Sequence, residues 1–392
     1  MRILFTSTGG AGHFTPLVPW IEASLRRGHK ILVVGPAKLA EITAGSGYPM
    51  RIGGSPTPEE VAPIWSQVAT MKHDDAGPLV IGEIFCRLNS GALLPAMRAT
   101  CDEWAPDLVL RDPTEFASAV AAEERGIRHV RIAHGLAAGE ADMLQITAAP
   151  LQSFGPGVDR RIAESTYETL FPEMLDDSQF SDTRRYRLPV NSVATQAVPN
   201  RSPGNVDPLI YVTFGTVAPT MPGMMLLFRA VFDAVAGLPV RVLLTVGREL
   251  DIGQLGTPPK NVRIERWVDQ VDVMTEAALV VCHGGAGTTL GALAAGVPMV
   301  IFPLFADQAA NARCVVAAGA GVAVEARGVE AANRTIESHD TAALRDAILQ
   351  VLNDPTYVQA SAKTRSAFTA LPLLDDAYDE LVAEPQGRIT SS

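Results

Sequence analysis

Short apolar runs alternate along this chain with longer segments of helical periodicity. Ile3-Leu4-Phe5 predicts a first strand, and a glycine-rich loop, Gly9-Gly10-Ala11-Gly12-His13, leads to a helical pattern through Trp20 to Arg27. Gly28-His29 end that helix, and Lys30 to Val34 read as the next strand. Further along, Asp107 to Leu110 predicts a strand, Glu115 to Glu124 a helix, Gly126 its stop and His129 to Ile132 another strand. Strands separated by helices in this rhythm predict a parallel α/β sheet.

The rhythm breaks between Val198 and Pro208, where three prolines, a glycine and polar residues predict a linker. It restarts with strand Leu209 to Phe214, a helix near Met225 to Ala236, and strands Val240 to Val246, Asn261 to Glu265, Ala278 to Cys282 and Met299 to Phe302. Beyond Glu337 the pattern is helical: Asp340 to Leu352, Pro355 to Ala370 and, after Pro372, an amphipathic segment Leu374 to Ala383. The expected organisation is an N-terminal α/β domain over 1–198, a linker at 199–208, a second α/β domain over 209–372, a last helix at 373–385 and a disordered tail at 386–392. Two such domains facing each other would hold ligands at the C-terminal ends of their strands. Ser55 to Cys86 and Leu136 to Thr183 are poorly periodic and predict substrate-facing loops.

Composition narrows the function classes. A length of 392 residues suits two domains, and 47% apolar residues supply two cores. The net charge of −11 and the lack of any basic run argue against nucleic acid or an anionic membrane as partner. Cys86, Cys101, Cys282 and Cys314 have no metal-finger spacing and predict free thiols in a reducing cytoplasm. The chain starts directly on a strand, so no signal peptide is expected. Ala277 to Ala306 lacks any charged residue, yet its glycines, prolines and two β-rich runs predict strand, helix and strand rather than a membrane span. A homodimer stays open.

The chemistry concentrates in three places. His283-Gly284-Gly285-Ala286-Gly287-Thr288-Thr289 lies where a strand passes into a helix, so glycines and free helical N–H groups form an anion cradle suited to a diphosphate. His283 adds a polar or cationic side chain. Asp307-Gln308 follows the next strand, and a carboxylate beside a carboxamide reads vicinal hydroxyls. His13, at the end of the first strand, has the imidazole suited to taking a proton near neutral pH, or it caps the following helix. Asp112 ends another strand on the same sheet edge, as an orienting carboxylate for His13, as a helix N-cap, or as both. The Gly9-Gly10-Ala11-Gly12 turn lacks the third glycine of a dinucleotide fingerprint, and no acid ends the second strand.

In order and spacing, the segment from His283 through Gly296-x-Pro298 to Asp307-Gln308 resembles the donor signature of GT-B nucleotide-sugar glycosyltransferases that decorate natural products, and the whole chain is similar to the actinobacterial antibiotic enzymes. The resemblance implies two Rossmann-like domains with a final helix crossing back to the first. It implies His13 as the base, with a donor site of Thr216, Trp267, Val268, His283, Gly285, Ala286, Gly287, Thr288, Asp307 and Gln308. Trp267 would lie against the nucleobase, or be a core residue; Asp269 stands where the family commonly has proline. Gly291 replaces a glutamate that holds ribose hydroxyls in plant relatives, which favours a thymidine diphosphate deoxysugar. No Asp-x-Asp pair is present, so no metal or other cofactor is expected, and the helix N-terminus and His283 would meet the leaving-group charge. Trp65, Met71, Phe85 and Met143 suggest a bulky apolar aglycone as acceptor, and His134 lines that pocket or caps its loop. The expectation is a cytoplasmic, inverting, metal-independent transferase acting on two small molecules. The rivals are a sugar-nucleotide epimerase on the same fold and a non-catalytic sugar-nucleotide-binding partner protein.

Overall fold

A computed structural model describes residues 1–71, 73–189, 207–216, 219, 224–324 and 338–384. The chain forms two compact units, one of residues 1–189 with 371–392 and the other of residues 190–370. The first holds a seven-stranded sheet in the order β3-β2-β1-β4-β5-β6-β7. Its strands are β1 (Arg2–Thr6), β2 (Lys30–Gly35), β3 (Met50–Ile52), β4 (Leu108–Arg111), β5 (His129–Ile132), β6 (Thr166–Thr169) and β7 (Thr183–Arg185). The second holds six strands in the order β10-β9-β8-β11-β12-β13. These are β8 (Leu209–Thr213), β9 (Arg241–Thr245), β10 (Val262–Glu265), β11 (Ala277–Cys282), β12 (Met299–Ile301) and β13 (Gly321–Ala323). Every pairing in both sheets is parallel.

Each sheet reverses its strand order once, between β1 and β4 and between β8 and β11. Loops leaving the C-terminal ends of strands on either side of such a switch point diverge and open a crevice. His13 and Asp112 follow β1 and β4, while Gly215-Thr216 and His283 follow β8 and β11. The strands β1, β2, β8, β11 and β12 are largely apolar on both faces, as strands covered by helices on both sides are. In β1, Ile3 and Phe5 pack on one side with Trp20, Tyr186, Tyr378 and Leu381, and Leu4 packs on the other with Val109, Met97 and Phe116.

The helix Leu374–Ala383 belongs to the first unit, against the helix Val18–Arg26. Leu374, Tyr378 and Leu381 are buried there, and the Tyr378 hydroxyl donates to Ser24 Oγ at 2.8 Å. Arg27 lies 4.7 Å from the centre of the Tyr378 ring and pairs with Asp375 at 2.7 Å and Asp379 at 2.6 Å.

The expected loops are largely helices. Ser55 to Cys86 contains Pro58–Val68 and His73–Leu79, the latter continuing through wide turns, Val80–Asn89, into Ser90–Trp104. Residues 136–183 contain Ala137–Gln152 and Val158–Glu164. Their periodicity is obscured by prolines inside the helices, Pro63, Pro78 and Pro150, which propensity alone would read as breaks. Met143 is accordingly a core residue of a helix, not a loop residue. The 29-residue stretch Ala76–Trp104 is long and apolar enough to cross a membrane, and part of it packs against Ala137–Gln152 and Ala117–Glu123. The linker at 199–208, apart from Asp207 and Pro208, and the tail at 386–392 lie outside the described residues.

Replacing Tyr378 with alanine removes a buried ring, its hydrogen bond and its cation partner together. Tyr378→Ala should destabilise the first unit by about 3–5 kcal/mol, and Tyr378→Phe by only about 1 kcal/mol. Denaturant unfolding followed at Trp20, which contacts the same ring, checks both; equal costs would contradict this packing.

Candidate active site

In the first unit the chemistry gathers around one carboxylate. Asp112 is fully buried and lies where the loops after β1, β4 and β5 meet. Its Oδ1 accepts from the Thr114 backbone N–H at 2.9 Å and hydroxyl at 2.8 Å. Its Oδ2 accepts from the Thr8 hydroxyl at 3.0 Å and backbone N–H at 3.3 Å. His13 Nδ1 stands 3.2 Å from Oδ2 and 3.0 Å from the Thr114 hydroxyl. Burial pushes the Asp112 carboxyl up, but the charge and hydrogen bond of His13, then His134 and the Thr114 N–H, hold it well below the usual carboxylate range. An ionised carboxylate only accepts, so a hydrogen bond from His13 to Asp112 requires a proton on Nδ1.

Local sequence explains the placement. His13 lies in the single helical turn Ala11–Phe14, which Gly10 precedes in extended conformation. A Cβ on Gly10 would lie 2.8 Å from His13 Cδ2, so glycine is needed for the ring to sit there. Asp112 is not the N-cap of the next helix. That helix starts later, at Ala117, and buried Glu115 accepts from the Ser118 N–H at 3.1 Å, while Asp112 closes the turn to Thr114. Arg111, also fully buried, donates to the carbonyls of Asp112, Pro113 and Glu115 at 3.2, 3.1 and 3.0 Å. It is pushed down to about 10 by burial and by Arg131, and so remains cationic at neutral pH.

His134 follows β5, its ring 4.6 Å from that of His13 and its Nδ1 3.9 Å from Asp112 Oδ1. The Phe85 ring is 5.9 Å from His13. Trp65 is half exposed on Pro58–Val68, which packs against the helical stretch carrying Phe85, and Met71 follows that helix.

In the second unit, the helix Ala286–Ala295 begins directly after Gly284-Gly285, with Gly285 as its extended N-cap. The first N–H groups of such a helix have no intrahelical acceptor, and they carry partial positive charge. His283 is wedged between two glycines. A Cβ on Gly215 would lie 2.9 Å from its ring, and one on Gly285 2.6 Å. Its Nδ1 is buried with no hydrogen-bond partner among the described residues. Burial lowers the imidazole to about 4, against a smaller upward push from Asp307, so His283 is neutral at pH 7 rather than cationic. Thr288 is buried, 3.4 Å from Gln270 Nε2, while Ala286 is half-buried and Gly287 and Thr216 are exposed.

Asp307 is exposed and accepts from Asn311 Nδ2 at 2.9 Å. The same amide donates to the Gly284 carbonyl at 2.9 Å, tying Asp307 to the cradle. Gln308, expected beside Asp307 as a hydroxyl reader, is buried. Its Oε1 accepts from the Leu304 and Phe305 N–H groups at 2.7 and 2.9 Å, which leaves its amide N–H groups as the side chain's means of donation. Trp267 is 57% exposed, which removes the core alternative, and the Arg248 guanidinium lies 5.5 Å from its ring centre. Val268 is half-buried. Asp269 does the turn-forming work of a proline by a different route: it sits at φ −69° and accepts from the Val271 N–H.

Comparison with known proteins identifies the family. The models of the erythromycin biosynthesis protein CIII-like N-terminal and C-terminal domains match residues 23–165 and 229–383. The chain belongs to the GT-B natural-product glycosyltransferases. Among curated relatives, L-demethylnoviosyl transferase of Streptomyces niveus is 30% identical over 336 residues, covering 83% of this chain and 85% of that protein. The calicheamicin glycosyltransferase CalG4 superposes with a TM-score of 0.77 at 23% identity, covering 100% of this chain and 99% of that one. The spinosyn rhamnosyltransferase SpnG, whose structure is known with thymidine diphosphate, superposes with a TM-score of 0.71 at 21% identity, over 97% of this chain and 100% of its own.

For this glycosyltransferase, Thr8, Thr114, Arg111 and Arg248 were not foreseen. Two of them left a trace: Arg111 is a charged residue in an otherwise apolar strand, and Asp112-Pro113-Thr114 is a side-chain-closed turn pattern.

The neutral state of His283 has a measurable consequence. Its folded value, about 4, lies below its ordinary 6.5, so the unfolded chain takes up a proton that the folded chain refuses. Stability therefore falls as pH drops from 6.5 to about 4, by on the order of 3 kcal/mol from this group. His283→Gln should flatten that part of the stability profile measured by denaturant unfolding; an unchanged slope would show that the ring is not held neutral.

Proposed function

We propose that this glycosyltransferase is inverting and metal-independent, and that it moves a deoxysugar from a thymidine diphosphate donor to a bulky apolar aglycone in the cytoplasm. The observation that carries the reading is His13 Nδ1 held against the buried, ionised Asp112. Nε2 takes the proton of an acceptor hydroxyl, and Asp112 stabilises the imidazolium that forms. The hydroxyl oxygen attacks the anomeric carbon of an α-linked donor, the bond to the diphosphate oxygen breaks, and a β-linkage results. Phe85 at 5.9 Å from His13 offers an apolar wall to the acceptor.

The diphosphate leaves into the N–H groups of Ala286, Gly287 and Thr288. Neutral His283 contributes as a hydrogen-bond donor, not as a charge, so the helix N-terminus carries most of the electrostatic stabilisation without a metal. Asp307 takes the sugar hydroxyls, and Trp267, backed by Arg248, stacks the base. Thymidine diphosphate as nucleotide is supported by Gly291, which places no carboxylate near a ribose, and by the nucleotide bound to SpnG.

His13→Ala should lower turnover at least about a hundredfold while calorimetric binding of thymidine diphosphate stays within about twofold, because the donor residues lie in the other unit. Parallel loss of nucleotide binding would contradict the assignment of roles to the two units.

Donor choice is tested by competition between thymidine and uridine diphosphate forms of one sugar. The native enzyme should prefer the thymidine form. Gly291→Glu should narrow the preference, provided Met274, whose Sδ would lie 3.1 Å from the new Cβ, swings aside. A uridine preference in the native enzyme would remove Gly291 as a determinant.

A further inference from the structure

His13, Asp112 and His134 each offer a ligand atom within 4.8 Å of the others. Two imidazoles and one carboxylate, contributed by three neighbouring strand ends, form a donor set that suits divalent zinc, copper or nickel. We propose that these residues form a transition-ion site whose occupation switches the base off. The inference rests on the reading of His13 as base; the ion is an inhibitor, not a requirement of transfer.

The geometry is close to that of a bound site. With bonds of about 2.1 Å, tetrahedral ligands stand roughly 3.4 Å apart. His13 Nδ1 is 3.2 Å from Asp112 Oδ2, His134 Nδ1 is 3.9 Å from Oδ1 and the three ligand atoms lie within 4.8 Å of one another, so side-chain rotations that move them by on the order of an ångström close the set. Thr8 and Thr114 already hydrogen-bond the carboxylate, the outer support that ligating carboxylates need. The two histidine side chains are 24% and 29% exposed, which gives an ion access and leaves room for water to complete the coordination. His129 and His283 are buried and offer no such entry.

The consequence for chemistry follows from the tautomer. An ion on Nδ1 of His13 takes the lone pair exposed when that nitrogen loses its proton, and the neutral ring then carries its one proton on Nε2. That ring has no lone pair left to accept a proton from a hydroxyl, and Asp112 no longer faces an N–H.

The test uses the tag-free, chelator-treated full chain. Zinc added in a calorimeter should bind with one strong site per chain, and cobalt in its place should give the visible absorption of a low-coordinate nitrogen–oxygen site. His134→Gln and His13→Gln, each shown to unfold cooperatively, should weaken zinc binding at least about tenfold. Zinc should inhibit the native enzyme, and a chelator should restore it. Absence of strong binding, or undiminished binding in both variants, overturns the site. Binding that both variants lose but that leaves turnover unchanged overturns the switch, and separately counts against His13 as the base.

Discussion

A carboxylate sealed from water governs the first unit. Burying Asp112 as an anion is tolerable only because several donors surround it, and each is supplied by a different short segment: Ser7 and Thr8 after β1, Thr114 in its own turn, and His13 from the helical turn beyond Gly10. Losing one partner of such a buried pair costs about 3–5 kcal/mol, since the remaining charge is then uncompensated. Arg111 fixes the turn from beneath by holding three carbonyls. The imidazole is thus oriented by the same network that makes the buried charge affordable, and fold stability and proton chemistry cannot be separated at this point.

The second unit solves a different problem with the same topology. There the switch point lies between β8 and β11, and glycines stand in the loops after both, Gly215 after β8 and Gly284-Gly285 after β11. Gly215 and Gly285 press on both sides of His283, so the ring is held by backbone rather than by an ion pair. A desolvated, neutral imidazole beside a helix N-terminus does not compete for an anion as a counter-charge would. In the proposed reading the field of the helix N-terminus attracts the diphosphate, and the ring supplies direction. Ala306, in left-handed conformation at φ 55°, turns the chain sharply just before Asp307, a strained geometry for a residue other than glycine that sets where that carboxylate leaves the sheet.

Much of this was legible along the chain, because the strands are short, apolar and bounded by glycine and proline. The observed β5 and the helix Leu374–Ala383 match the periodicity residue for residue, and the last helix does rejoin the first unit. The helices around Pro63, Pro78 and Pro95 were not legible, since tertiary packing overrode a local preference. At the candidate site, residue type does not carry ionisation: His283 is neutral through burial, which no spacing encodes. The burial of Gln308 was not legible either, because its carbonyl oxygen finds backbone donors three and four residues upstream. Thr114 escaped notice because its role depends on meeting His13 across two adjacent strands.

The central claim is that buried, ionised Asp112 fixes the tautomer of His13. Nitrogen NMR of histidine-labelled protein, with the His13 signals assigned by their loss in His13→Gln, reports that tautomer directly. The account predicts a ring at neutral or higher pH with its proton on Nδ1 and a bare Nε2. A proton on Nε2 with Nδ1 bare would contradict it, because His13 could then neither donate to Asp112 nor accept a proton from a hydroxyl on its outward side.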